Sequence, residues 1–495
     1  MTTTDQVENI GRETAYYVPG KLVVAVMAVV AVPVYTHFFE AEDLGRFDLA
    51  LKAALFAWTL CILWLNNVML RFYPAYVRRN EQEQFLAVMI IMKWVGLGLG
   101  VALLLGLWAM GPERLVGSFR NLLAVSALAF AGRSSLELGL SLFAAKRKPI
   151  AHSVASAANA VAKLALGVGV AVGLEQGVAG LVWAAGVVPL VVYFAVMRRH
   201  FGSGRLALRS GRLAIAREVI GYGTPICLVL VFNFFLANGD RYILKILDDD
   251  RAVGVYMIGH FLADHPIQFV YATFMLAAFP AVAHTYESGG RKAAEKLVPA
   301  LIRLYLLVAV PTCVFLAVLA HPVVFALARG ETRASFVVVP WVAFAALLLG
   351  LSHYYTIGLY IAKRPALLLA ATVLATALNA VANWYLVPRH GFYGCGMARA
   401  VSNGAMLLLT SAFSFRFLRI RFPLVSLLRI TAAAAVAGAM LFILKGRLAE
   451  HIVTVGGEFC AGFALYGILL FAFGEISRGE IRRLLAALLC RAGRG

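Results

Sequence analysis

The chain has 495 residues, 62% of them hydrophobic and 14% charged, with a formal net charge of +20 and a mean hydropathy of +0.83. A water-soluble globular chain carries about 25% charged residues, so that class is excluded, and the positive charge points to loops on the inner side of a membrane before it points to nucleic acid. The six cysteines form no C-x-x-C pair and fall mostly within apolar runs, which excludes a disulfide framework and a thiolate metal site.

Apolar runs of membrane-crossing length recur from end to end. In chain order they cover 14–38, 47–70, 85–110, 121–145, 150–174, 178–197, 219–238, 253–283, 297–320, 336–362, 366–387, 395–415, 424–444 and 452–473. The short alternating segments of a membrane β-barrel are absent. The expected fold is therefore an all-α polytopic membrane protein of about 14 transmembrane helices. The opening residues carry Asp5 and Glu8 and no basic stretch, so the first run is expected to be a retained span and not a signal peptide.

Fourteen runs make a prediction about charge. With the N-terminus inside, the inner segments hold Arg71, Arg78 and Arg79, then Lys146 to Lys148, then the arginines around 198–217, and so on to the C-terminal tail. They carry more than twice the Lys and Arg of the outer loops, so both termini are expected to be cytoplasmic.

The two sides of the basic segment at 198–218 resemble each other. The first run opens with Pro19 and leads to an acidic turn with Gly45; the seventh opens with Pro225 and leads to an acidic turn with Gly254. The turn ending at Pro149 matches the one ending at Pro365, and "EQGVAG" matches "RHGFYG". Asn159 and Asn379 open similar five-residue strings, one helical turn out of step. An even number of spans per half gives parallel repeats, a transporter pattern. The expected organisation is a six-helix lobe at 1–197, a cytoplasmic linker at 198–218, a second six-helix lobe at 219–423, and two extra helices with a basic tail at 424–495.

These residues carry a resemblance. Pro19, the turn Glu42-Asp43-Leu44-Gly45, Asp240-Arg241 with Gly254-Val255-Tyr256, Phe279-Pro280 and "GFYGCGMARAVSN" resemble the polysaccharide transporters, including O-antigen flippases, of the multidrug/oligosaccharidyl-lipid/polysaccharide flippase superfamily. Relatives usually show Gly-Ala-Ala where this chain has Gly394-Cys395-Gly396. The resemblance implies a fourteen-helix rocker that moves a polyprenyl-pyrophosphate-linked oligosaccharide to the periplasmic leaflet of a bacterial inner membrane. It also implies contact with membrane lipids and with other polysaccharide-assembly proteins.

The charges inside the runs bear on that expectation. Lys52, Lys93, Arg133 and Lys163 lie in the first half and Arg399 in the second. Arg133 and Lys163 are near mid-span, where each cation costs about 2.5–3.5 kcal/mol to insert. Glu137, one turn after Arg133, offers a local ion pair as the alternative reading. Lys163 has no acid one turn away. These five cations are the expected contacts of an anionic head group, since arginine offers a planar fork to phosphate oxygens and lysine a mobile point charge.

Asp264, His260 and Glu137 are the candidates for proton or ion coupling. For His260 and Asp264, a packing hydrogen bond beside Pro266 is the favoured alternative. Asp240 and Arg241, adjacent and so directed to different faces, are expected to be a structural motif, with Asp240 tying its span to a neighbour. Tyr354 and Tyr355 fit either sugar stacking or packing. No cofactor and no nucleic-acid partner is expected.

Three rivals remain. A cation antiporter needs an acid on the first span, which has Lys21 instead. A lipid II flippase shares the charge logic. A membrane polymerase or ligase needs acids or histidines on a large outer loop, and the longest such loop offers His321 and Glu331; no H-E-x-x-H or phosphate-binding glycine loop is present, so no enzyme is expected.

Overall fold

In a computed structural model, residues 18–197, 212–444 and 452–475 are described. The two tails, whose cytoplasmic placement was expected from charge, and most of the 198–218 linker lie outside these residues. Among the described residues the regular structure is helical throughout.

The first helices are α1 (Val18–Phe38), α2 (Ala41–Arg78), α3 (Gln82–Met110), α4 (Arg120–Ala145), α5 (Pro149–Gly173), α6 (Val178–Val192) and α7 (Arg212–Leu247). There follow α8 (Asp250–Val318), the short α9 (Ala320–Leu327), α10 (Val339–Ile361), α11 (Pro365–His390), α12 (Phe392–Phe415), α13 (Leu424–Leu444) and α14 (Ile452–Ala472). A hydrocarbon environment forces this outcome, because only a helix satisfies every backbone polar group within its own segment. In α2 the residues Thr59–Leu63 widen to a π-helix.

Twelve helices among the described residues are long and apolar enough to cross a membrane. The sequence reading of fourteen differs at two places. The runs 253–283 and 297–320 lie in one element, α8, where two helices meet at Gly290, whose φ of 70° turns the backbone. The run 395–415 does form a helix, α12, but its glycine, serine, asparagine and arginine content leaves it less apolar than the twelve.

The turns paired by their sequences share their backbone conformations. Arg147 and Lys363 both sit at φ 53°, each two residues before the proline that opens the next helix. Gly177 (φ 56°, ψ −148°) and Gly391 (φ 56°, ψ −144°) both precede a helix, in a region closed to residues with a Cβ.

By contacts the chain forms two compact units. The first is Met1–Met257 with Gly330–Thr332; the second is Ile258–Arg329 with Arg333–Gly495. In the first unit α5 packs on α1 and α6, and α4 on α6, α3 and α2. Leu136, Leu140 and Phe143 of α4 bury against Ala155 of α5 and Ala184, Val188 and Val192 of α6. In lipid such contacts stabilise by dispersion and fit more than by escape from water. The two repeated turn glycines meet each other here: a Cβ on Gly45 would overlap the Asp250 carbonyl, and one on Gly254 the Ala41 carbonyl.

In the second unit α12 packs on α10 and α11, and α14 on α13 and α9. At one end Arg303 Nε donates to Glu475 at 2.6 Å, and Arg429 lies 3.8 Å from the same carboxylate.

Candidate anion-binding site

The intramembrane charges of the first unit sort into three arrangements. The first is a neutral network. On α2, Asp48 and Lys52 are one turn apart and lie 3.8 Å from each other. Asp48 also accepts from Arg241 Nε of α7 at 2.6 Å. Arg241 curls back to Asp240 at 3.2 Å, so these neighbours join instead of pointing apart as adjacency suggested. Asp240, 0% exposed, takes a hydrogen bond of 2.5 Å from the Tyr256 hydroxyl. Two cations thus face two acids, and α2, α7 and α8 are tied together within this unit.

Lys93 on α3 makes the second. It is 6% exposed, and its ammonium lies 4.4 Å from the centre of the Tyr193 ring and 5.6 Å from that of Trp94. An aromatic face attracts a desolvated cation by about 2 kcal/mol or more. This lysine is held by rings and not opened to a ligand.

Arg133 and Lys163 make the third. On α4, Gly132, Ser134, Ser135 and Leu136 are buried, while Arg133 is exposed and Glu137 half-buried. The guanidinium does not fold onto Glu137. It stacks 4.5 Å from the Trp58 ring centre of α2, and Trp58 is 7% exposed. That leaves the guanidinium edges, which carry the N–H donors, open. Lys163 of α5 is exposed, and both Arg133 and Glu137 are close enough to act on its charge. Arg133 and Asp48 both act on the Lys52 charge, so the neutral network lies close to Arg133. Among the described residues neither Arg133 nor Lys163 makes an ion pair. Two accessible cations beside one half-buried acid leave a net positive charge, suited to an anion with several acceptor oxygens. A cavity of about 450 Å³ beside the π-helix is lined by Leu60, Cys61, Trp64 and other apolar residues, and offers such an anion nothing.

In the second unit the structure brings together two residues read as having different roles. Arg399 of α12 is 1% exposed and lies 3.6 Å from Asp264 of α8. Gln268 donates to the other carboxylate oxygen at 2.7 Å. Arg399 therefore faces an acid and not an open space. His260 is buried one turn before Asp264. Beside them Asn379 donates to Ser402 at 2.9 Å and Asn383 to the Asn379 carbonyl at 2.8 Å.

Sequence reasoning missed three residues. Asp48 passed as part of an acidic turn, although its four-residue spacing to Lys52 was a signal. Trp58 gave no signal, because nothing local links it to Arg133. Glu458 on α14 is buried, with one carboxylate oxygen unpartnered among the described residues, and an acid inside an apolar run is itself a signal.

The family described as polysaccharide biosynthesis protein matches residues 10–286, more than half of the chain. No curated protein sequence matches. Among solved structures, the lipid II flippase MurJ in an inward closed conformation aligns with a TM-score of 0.74 at 12% identity, over 93% of this chain and 98% of that one. An inward-facing multidrug resistance MATE family transporter of the MOP superfamily aligns with a TM-score of 0.61 at 13% identity, over 80% and 94%. A eukaryotic MATE transporter aligns with a TM-score of 0.55 at 14% identity, over 81% and 95%. At such identities the likeness is one of fold. The chain belongs to the polysaccharide biosynthesis protein family and has the all-helical, multi-pass membrane fold of the MOP superfamily.

Proposed function

We propose that this protein is a flippase that carries a polyprenyl-pyrophosphate-linked oligosaccharide, such as an O-antigen or exopolysaccharide repeat unit, from the cytoplasmic to the periplasmic leaflet of a bacterial inner membrane by alternating access. The observation that carries the reading is the pair Arg133 and Lys163: two mid-span cations, accessible, unpaired among the described residues, and steadied on one side by Trp58. Keeping two such charges in place costs about 5–7 kcal/mol of insertion free energy. An anionic cargo offsets that cost, because a pyrophosphate accepts the arginine fork and the lysine ammonium together. The donors must hold the head group strongly enough to admit it and weakly enough to release it. Glu137, beside both cations, serves that second need.

We place these cations in the first of two parallel six-helix lobes, 1–197 and 219–423, joined by 198–218 and followed by 424–495, with both termini cytoplasmic. Transport makes and breaks no covalent bond, and no cofactor enters. The similarity to MurJ over nearly its whole length favours lipid II as the second reading, which shares the polyprenyl pyrophosphate and differs in the sugar.

The test is flipping of a fluorescent polyprenyl-pyrophosphate oligosaccharide in proteoliposomes. Arg133→Ala/Lys163→Ala is expected to lower the rate more than tenfold with the protein still folded. Undiminished transport by the double variant overturns the reading. Faster flipping of lipid II than of the oligosaccharide lipid selects the second reading.

A further inference from the structure

A flippase for a glycan lipid must hold the sugars as well as the pyrophosphate, and the second unit carries a surface suited to sugars. Tyr271 of α8 and His353 of α10 stack face to face, with ring centres 4.5 Å apart and planes at 19°. Both are half-buried. Farther along the same two helices Phe279 meets the Tyr360 ring edge-on at 5.9 Å, and Tyr360 is 50% exposed while Phe279 is also exposed. His353 and Tyr360 are seven residues apart, close to two full turns. They share a face of α10 at a separation of about 10 Å. The result is two aromatic platforms in line, spaced for more than one sugar ring.

The polar atoms around the first platform are unsatisfied. Among the described residues the His353 ring nitrogens make no hydrogen bond. Tyr354, next to His353 in the chain and fully buried, has a hydroxyl without a partner among the described residues. Tyr271 lies close enough to act electrostatically on that hydroxyl. A lipid tail against this face leaves these groups unpaired, at about 1–3 kcal/mol for each buried one. A sugar presents an apolar C–H face to the rings and, at its rim, hydroxyls for the nitrogens of the half-buried His353, while the Tyr354 hydroxyl lies too deep for it. Ligand sites commonly have this composition, aromatic walls with a few placed polar groups.

We infer that Tyr271, His353, Phe279 and Tyr360 form a glycan-binding track in the second unit, resting on the flippase reading above, with stacking as the main contact and the His353 ring as hydrogen-bonding partner. Stacking tolerates many sugars because every pyranose has an apolar face. The track therefore suits sliding of a repeat unit more than recognition of one residue. Each ring lost is expected to weaken glycan binding roughly three- to tenfold.

The experiment uses the full chain in nanodiscs and two probes: a bare polyprenyl pyrophosphate, and the same lipid carrying a neutral hexose trisaccharide. Binding is followed by native mass spectrometry for wild type, Tyr271→Leu/His353→Ala, and separately Tyr360→Leu, an exposed position whose loss leaves folding intact. Tyr271→Phe keeps the stack and serves as the conservative rescue. The expected result is weaker binding of the sugar-bearing lipid by both ring-deleted proteins, bare lipid bound as by wild type, and near-normal sugar-lipid binding by Tyr271→Phe. Equal weakening of both probes, or no change in either while wild type binds both, overturns the track and leaves the flippase reading in place. Wild type that binds neither probe overturns both.

Discussion

Removing Asp48 tests whether the network at the α2–α7 contact is what makes Lys52 and Arg241 tolerable inside the membrane. At 2.6 Å from Arg241 and 3.8 Å from Lys52, its carboxylate attracts them with about 6 and about 4 kcal/mol at an effective dielectric of ~20. Desolvation consumes much of that gross figure. Deleting one partner nonetheless strands charge, because Asp240 alone then faces two cations, and breaking a buried pair this way costs about 3–5 kcal/mol. Asp48→Ala is therefore expected to shift the equilibrium for unfolding in mixed micelles by more than a hundredfold. Asp48→Leu/Arg241→Leu leaves Lys52 with Asp240 and recovers most of the loss. The assay is reversible SDS titration of purified protein, read by tryptophan fluorescence. A loss under 1 kcal/mol for Asp48→Ala, or a double variant no better than the single, refutes the reasoning.

Two further outcomes follow from the same geometry. Glu137→Gln removes the acid beside Arg133 and Lys163, so a bare polyprenyl pyrophosphate should bind about tenfold tighter while flipping slows, because release becomes the slow step; unchanged or weaker binding in nanodiscs contradicts the assigned role. Gly254→Val places a side chain against the Ala41 carbonyl, a backbone atom that cannot yield, and is expected to cost about 3 kcal/mol or more through overpacking, seen as loss of the monodisperse peak in size-exclusion chromatography; a normal peak and melting temperature argue against the close crossing.

The runs that became helices were legible because in a bilayer local composition decides secondary structure: an apolar stretch of sufficient length has no other way to satisfy its backbone. The matching turns were legible for a related reason. Turns after Lys146–Lys148 and after Lys363 must reverse the chain within a few residues, and the left-handed positions at Arg147 and Lys363 recur with the sequence. The depth of Arg133 and Lys163 could be read by counting along their helices. What those charges face could not. Whether Arg133 folds onto Glu137 or stacks on Trp58 depends on which helix lies beside α4, and no local pattern encodes that. That Arg399 and Asp264, read with separate roles, lie 3.6 Å apart is likewise a matter of packing between helices distant in the chain. Gly45 and Gly254 looked like two equivalent turns, and only the crossing of α2 and α8 shows that each must lack a Cβ because a carbonyl of the facing helix, Asp250 or Ala41, fills that space. The class of protein, its helices and its excess of intramembrane cations follow from transfer free energies summed along the chain, so they are written in the order of residues. The tertiary structure alone decided which cations are neutralised and which stay open, because an ion pair acts over a few ångströms between helices far apart in sequence.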